Sequence, residues 1–331
     1  MRLLPAAAMA VALTAVDVGP SGRVIAEAQP EPREAATIAP PDPVVLVVLD
    51  GVRWQEIFGG TTSQEAATLT PNLHRLGSER GAAIGGSTRS MMQASGPNFV
   101  SLPSYREIFS GRSGSDCTEN DCPRIARPTI VDELRARGRS AAVFSSWEKI
   151  DLAAASRPEG FVMSTGRGGE PGDPWPGAGD FRRDRATATL ALRHLESAQP
   201  DFLFLGLGET DEYAHHGDYS SYVGAIAMAD QIIGDLLGAL VRMGERGERT
   251  HVFVTTDHGR AHDFRDHGGR YPESSRVWLV ASGPRITARG DLETSRDLRL
   301  RDIAPTLRLI AGLPRVATGR DAGAPIAELL R

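Results

Sequence analysis

Five acidic and imidazole side chains lie directly behind apolar runs, where they could hold cations. Asp50 follows Val44–Leu49, Asp211 and His215 follow Phe202–Leu207, and Asp257-His258 follows residues 251–256. A single Asp behind a strand is most often a helix cap or a turn residue. The joint pattern says more. Asp211 and His215 are four residues apart, so one helical turn puts a carboxylate and an imidazole on the same face, within reach of one ion. Asp257-His258 repeats the pairing at the end of another run. A mixture of oxygen and nitrogen donors suits Zn²⁺ or Mn²⁺ better than Ca²⁺, which takes oxygen ligands.

The apolar runs are the elements that must position these groups. Val44–Leu49 is a continuous β-branched and Leu run, suited to a strand buried on both faces of a parallel sheet. Residues 141–144, Phe202–Leu207 and 251–256 have the same form, and residues 277–280 supply a fifth strand. Thr70 before Pro71 starts a helix that stops at Gly81, and Pro128 opens a helix over residues 129–137 closed by Gly138. Residues 182–197 and 219–243 carry apolar side chains at helical spacing. Strands alternating with helices of this length predict an α/β fold, with a doubly wound, mostly parallel sheet and helices on both faces. In such sheets ligands collect at the carboxyl ends of the strands, where these Asp and His residues stand. Residues 166–179, rich in Gly and Pro, read as a loop.

The chain has 331 residues and a formal net charge of −5. That charge gives no electrostatic reason to expect nucleic acid as a partner. Arg2 and the apolar residues 3–16 resemble a signal peptide, with small residues at Ala26 and Ala28 for cleavage. We therefore expect a leader over 1–28, a Pro-rich linker over 29–43 and one catalytic domain over 44–331 with a loop insertion at about 112–180. The leader's apolar run is short for a membrane span, so no transmembrane anchor is expected after its removal, and the destination would be periplasmic or extracellular. Cys117 and Cys122 are the only cysteines. They lack the neighbouring His or second CxxC of a zinc knuckle, and a local disulfide suits export.

These segments together resemble the alkaline phosphatase superfamily, in the style of its nucleotide pyrophosphatase/phosphodiesterase and related metal-dependent phosphatase branches. The resemblance runs from Val44 to about Pro314. It is carried by Val47-Val48-Leu49-Asp50-Gly51, Ser101-Leu102-Pro103, Thr210-Asp211 with His215, Thr256-Asp257-His258-Gly259, Asp266-His267-Gly268 and Asp302-Ile303-Ala304-Pro305-Thr306. It implies two divalent cations, Zn²⁺ or Mn²⁺. Asp50, Asp257, His258 and the Ser101 hydroxyl would hold one, and Asp211, His215 and His267 the other. It also implies that Ser101 is the nucleophile, activated by coordination, that a covalent Ser-phosphate forms, and that the substrate is a small phosphate mono- or diester. Ser101 precedes a helix, whose exposed N–H groups would favour an anion. Ser104 and Ser95 are lesser candidates, and capping is the plainer job for Ser101. Asn98, Arg106, Arg182 and Arg183 are candidates for gripping phosphate. His267 is preferred to His262 as the last ligand. His216 reads as a solvated neighbour or as a donor that supports a ligand from behind, and His74, His194 and His251 as ordinary helix or strand residues.

Three relatives are rivals. A sulfatase would need Arg where Tyr105 stands and would use one cation. A phosphomutase would carry a large inserted domain, for which the roughly ninety residues of 112–200 are short. A non-catalytic metal-binding relative would keep the fold without turnover.

Overall fold

The computed structural model describes residues 41–59, 67–166, 181–314 and 319–331. The expected leader, most of the linker and nearly all of loop 166–179 lie outside the described residues. An eight-stranded sheet organises the chain in the order β10-β2-β9-β7-β1-β6-β4-β5. Its strands are β1 (Val44–Leu49), β2 (Gly81–Ile84), β4 (Ala141–Ser145), β5 (Val162–Thr165), β6 (Phe202–Leu207), β7 (His251–Thr255), β9 (Leu279–Ser282) and β10 (Gly290–Asp291). β1 lies between β6 and β7 and is parallel to both, with Val44 opposite Phe202 and His251. β9 alone runs against its neighbours, β7 and β2.

Alternation along β1 assigns its side chains to two cores, because successive strand residues point to opposite faces. Val44, Leu46 and Val48 pack with Leu102, Tyr105, Ile108 and Phe109 of helix Ser101–Ser110, and with Leu307 and Ile310 of helix Ile303–Ile310. Val45, Val47 and Leu49 pack with Leu73 and Leu76 of helix Pro71–Ser78, Leu195 of helix Asp184–Ala198, and Ile226, Ile233 and Leu236 of helix Tyr219–Arg242. Helices on both faces of one mostly parallel sheet make the doubly wound arrangement that the run pattern predicts. Among the described residues, Tyr219–Arg242 is the one helix long and apolar enough to cross a membrane, and here its apolar side lines the second core.

Several expected boundaries shift. Gly81 begins β2 instead of ending a helix, which stops at Ser78. Thr129 is an N-cap whose side chain accepts from Asp132 N, so the helix runs Ile130–Arg135 and Pro128 precedes it. The expected strand at 277–280 divides. Val277 belongs to β8 (Arg276–Val277), in a small sheet with β3 (Met92–Gln93) and β11 (Leu298–Arg299), while Leu279 starts the antiparallel β9. Cys117 and Cys122 form the disulfide.

Candidate metal centre and nucleophile

The parallel strands β1, β6 and β7 end at one edge of the sheet, and each delivers polar groups there. Gly51 makes the turn after β1 with φ of 62°, a left-handed conformation natural to glycine. Its N–H donates to Asp257 Oδ1 at 3.0 Å, and the next N–H, of Val52, donates to Thr256 Oγ1 at 3.1 Å. From the helix that follows β6, Thr210 Oγ1 donates to the Asp50 carbonyl at 2.6 Å. Three strand ends are thus tied to each other before any ligand is considered.

Asp211 and His215 lie on helix Glu209–His215, which follows β6. Asp184, buried at the start of helix Asp184–Ala198, accepts from Gly208 N at 2.9 Å, Glu209 N at 3.1 Å and Ser146 Oγ at 2.5 Å, and so caps the helix carrying these two groups. Ser101 is the first residue of its helix, after Val100 as N-cap. Its hydroxyl caps nothing: it lies 3.3 Å from Asp50 Oδ1 and 3.3 Å from His258 Nε2. Tyr105, one turn on, donates to Asp50 Oδ2 at 3.0 Å, leaving the other oxygen to face Ser101. Burial and the Asp50 charge push the Tyr105 hydroxyl well above its ordinary pKa, so it remains a donor.

Two groups of donors result. Asp50, Asp257 and His258 are all buried, and one ligand atom from each lies within 4.8 Å of the others. Asp211, His258 and His267 form a second group of the same tightness. His215 joins this second group, with Nε2 3.2 Å from Asp211 Oδ2 and 3.0 Å from His267 Nε2. His267 is oriented by its Nδ1, which donates to the Phe99 carbonyl at 2.9 Å, and its ring stacks on that of His258 with centroids 3.9 Å apart.

The electrostatics fit cations. Asp257 Oδ2 is buried without a hydrogen-bond partner, a costly state for a carboxylate unless a cation or proton compensates it. Burial, then the neighbouring Asp50, raises the Asp257 carboxyl. Against the burial that would lower it, Asp257 and Asp50 hold the His258 imidazolium above its usual range. Protons there do in part what a metal would do. Burial, then His258, holds His215 and His267 below the ordinary imidazole value, so both are neutral and able to donate a lone pair.

The remaining candidates fall elsewhere. His262 is exposed, and its backbone carbonyl accepts from Arg53. His216 donates from Nδ1 to the Glu212 carbonyl. Ser95 Oγ donates to Glu107, outside the two groups. Arg106 is buried, with Asp116 as its nearest carboxylate at 3.7 Å, and Arg182 donates to Ser164, Ser145 and Thr187. Asn98 bridges Gly269 N, at 2.6 Å, to Thr118 and Glu119. The expected anion-binding N–H groups at Ser101 are reduced by local chemistry: Leu102 N–H donates to Asn120 Oδ1 at 2.8 Å, Ser104 N–H to the Val100 carbonyl, and Pro103 has none. Asn120, Tyr105, Asp184 and Arg260 are structural partners that the sequence reading missed. Tyr105 had one usable signal, its spacing of four from Ser101 on a helix.

Residues 181–312 match the Metalloenzyme superfamily model. In sequence the chain is similar to 2,3-bisphosphoglycerate-independent phosphoglycerate mutases. It is 34% identical to that of Halobacterium salinarum over 139 residues, 40% of this chain and 26% of the relative. To that of Gluconobacter oxydans it is 31% identical over 131 residues, 39% and 24%. It thus spans about a quarter of these relatives' length. In fold it is similar to a 2-O GAG sulfatase, with TM-score 0.64, 16% identity, and 87% of this chain and 73% of that one covered. Murine ectonucleotide pyrophosphatase/phosphodiesterase 5 gives a TM-score of 0.63 at 12% identity, covering 88% and 100%. The described fold is alkaline phosphatase-like, as in these solved structures, and the match to the Metalloenzyme superfamily model is confined to residues 181–312.

Proposed function

We propose that this chain is a two-cation hydrolase of small phosphate esters in which Ser101 takes the phosphoryl group. The observation that supports this most is the placement of one serine hydroxyl 3.3 Å from both Asp50 and His258, inside a buried set of carboxylates and imidazoles. Asp50, Asp257, His258 and Ser101 would hold one cation, and Asp211, His215 and His267 the other. Zn²⁺ or Mn²⁺ suits these donors, and when bound lowers the pKa of a coordinated hydroxyl and offsets phosphoryl charge.

In the first half-reaction Ser101 Oγ loses its proton and bonds to phosphorus, while the ester P–O bond breaks and the leaving oxygen is protonated. In the second, a water oxygen bonds to phosphorus, the Ser101 Oγ–P bond breaks and Ser101 regains a proton. Asp50, fixed by Tyr105, and His258 hold the serine oxygen in place. The metal-loaded protein should release p-nitrophenol from p-nitrophenyl phosphate or its bis ester, and not from p-nitrophenyl sulfate. Ser101→Ala should lower that rate by about a thousandfold or more, and mass spectrometry should find the phosphoryl adduct on the peptide carrying Ser101. Equal turnover by Ser101→Ala would overturn the assignment. The mutase relatives favour a second reading, in which the phosphoryl group returns to substrate; isomerisation of a phosphorylated hydroxy acid without release of inorganic phosphate would establish it.

The Cys117–Cys122 disulfide supports an exported protein, since oxidising compartments preserve such bonds. N-terminal sequencing of protein recovered from the periplasm or medium should begin after Ala28; recovery of the uncleaved chain in the reduced cytosolic fraction would contradict export.

A further inference from the structure

Arg260 is buried two residues after His258, and its guanidinium reaches three separate segments of the site. Nε donates to the Gly51 carbonyl at 3.0 Å, in the turn after β1. Nη1 donates to the carbonyls of Phe264 at 3.3 Å and Arg265 at 2.5 Å, in the loop leading to His267. Nη2 donates to the Asp211 carbonyl at 3.2 Å and to Asp211 Oδ1. Five N–H groups thus meet five acceptors, the full capacity of the side chain. None is left for a substrate, so Arg260 is not the group that grips phosphate.

The same contacts link two donors that have no local connection. Asp211 belongs to the helix after β6, and His267 to the loop after β7. Arg260 fixes the plane of the Asp211 carboxylate through Oδ1, while Oδ2 lies 3.2 Å from His215 Nε2. It also draws the 260–267 loop inward at Phe264, which has φ of 64°. That conformation is rare for a non-glycine residue and persists only where surroundings enforce it. Here the carbonyl is held by Arg260 and the ring packs against Tyr219 and Tyr222. The loop then turns back so that His267 faces His215.

We infer that Arg260 is a positioning residue for the second cation site, setting Asp211 and His267 at the spacing one ion requires. The inference rests on the two-cation reading above. The fork matters as well as the charge: Lys is a point charge that cannot reach all these acceptors in one plane. A residue acting through charge alone has the opposite signature, because removing a cation beside a cation site strengthens metal binding.

The test is calorimetric titration of Zn²⁺ into the full, chelator-treated chain. Wild type should take up two equivalents. Arg260→Lys and Arg260→Met should each keep the first equivalent, held by Asp50, Asp257 and His258, and bind the second at least tenfold more weakly. Retention of the first equivalent serves as the check on folding, and Arg260→Lys, which keeps the buried charge, covers the case in which Arg260→Met does not fold. A second equivalent of wild-type affinity in Arg260→Lys, or a tighter one in Arg260→Met, would overturn the positioning role. Fewer than two equivalents in wild type would instead overturn the two-cation reading.

Discussion

Asp50 divides its two oxygens between different tasks. Oδ2 accepts from Tyr105 and Oδ1 faces Ser101 and His258. Removing the donor with Tyr105→Phe leaves a buried carboxylate oxygen with one partner fewer, which costs about 1–3 kcal/mol. We expect denaturant unfolding to show that loss in chelator-treated protein, and kcat to fall while the hydroxyl of Ser101 is untouched; unchanged stability and rate would show Tyr105 to be a bystander. A second residue tests the protein far from the site. His251, at the opposite end of β7, is fully buried with Nδ1 unpartnered, and burial lowers its pKa from 6.5 to about 4. The unfolded chain takes up this proton below about pH 6.5, and the folded chain only near pH 4. Stability is therefore complete above that window and declines as the pH falls through it. Between pH 7 and 5 the decline from this residue is about 2 kcal/mol, and His251→Gln should remove it; an identical decline in the variant would refute the account. Asp50, Asp211, His215, Asp257 and His258 were legible because each follows an apolar run. Arg260 and Asp184 were not, since a buried Arg or Asp has the same one-letter context as an exposed one, and only the fold supplies their acceptors and donors.

Among the elements, the turn after β1 is closely constrained by the site itself. A Cβ on Gly51 would lie 2.5 Å from Asp211 Oδ1 and 2.9 Å from Arg260 Nε, in a backbone conformation with φ of 62°. Gly51→Ala should thus displace Asp211 and lower affinity for the second cation by tenfold or more, with the three-strand core intact by circular dichroism; a normal second equivalent would show that the turn has slack. The central strands were readable because strands buried on both faces become unbroken apolar runs. The shortest strands were not. β2 is only Gly-Ala-Ala-Ile and β3 only Met-Gln, too short for any period to show. The split at Val277 and Leu279 follows from tertiary pairing, Val277 with Met92 and Leu279 with Ile84, to which a local pattern is blind.

For the whole molecule, the site is a concentration of negative charge at the meeting of three strand ends, and its stability is linked to what neutralises it. Cations that bind only the folded chain at a hundredfold excess over Kd add about 2.7 kcal/mol per site. Chelation should therefore lower Tm together with activity, and both should return on adding Zn²⁺ or Mn²⁺. A chelated protein with unchanged Tm would mean that the clustered donors are satisfied without metal. The sequence conveyed the sheet, the helices on its two faces and the donors' approximate place. It could not convey the hydrogen bonds from Tyr105, Asp184 and Arg260 that fix those donors, because these depend on side chains brought together from distant segments.

The central claim is that two cations lie within this one set of side chains. Anomalous diffraction at the zinc absorption edge, from crystals of the full chain grown with Zn²⁺, addresses it directly. The account expects two peaks, one among Asp50, Ser101, Asp257 and His258 and one among Asp211, His215 and His267. A single peak, or peaks bound by other residues with these donors facing each other metal-free, would contradict it.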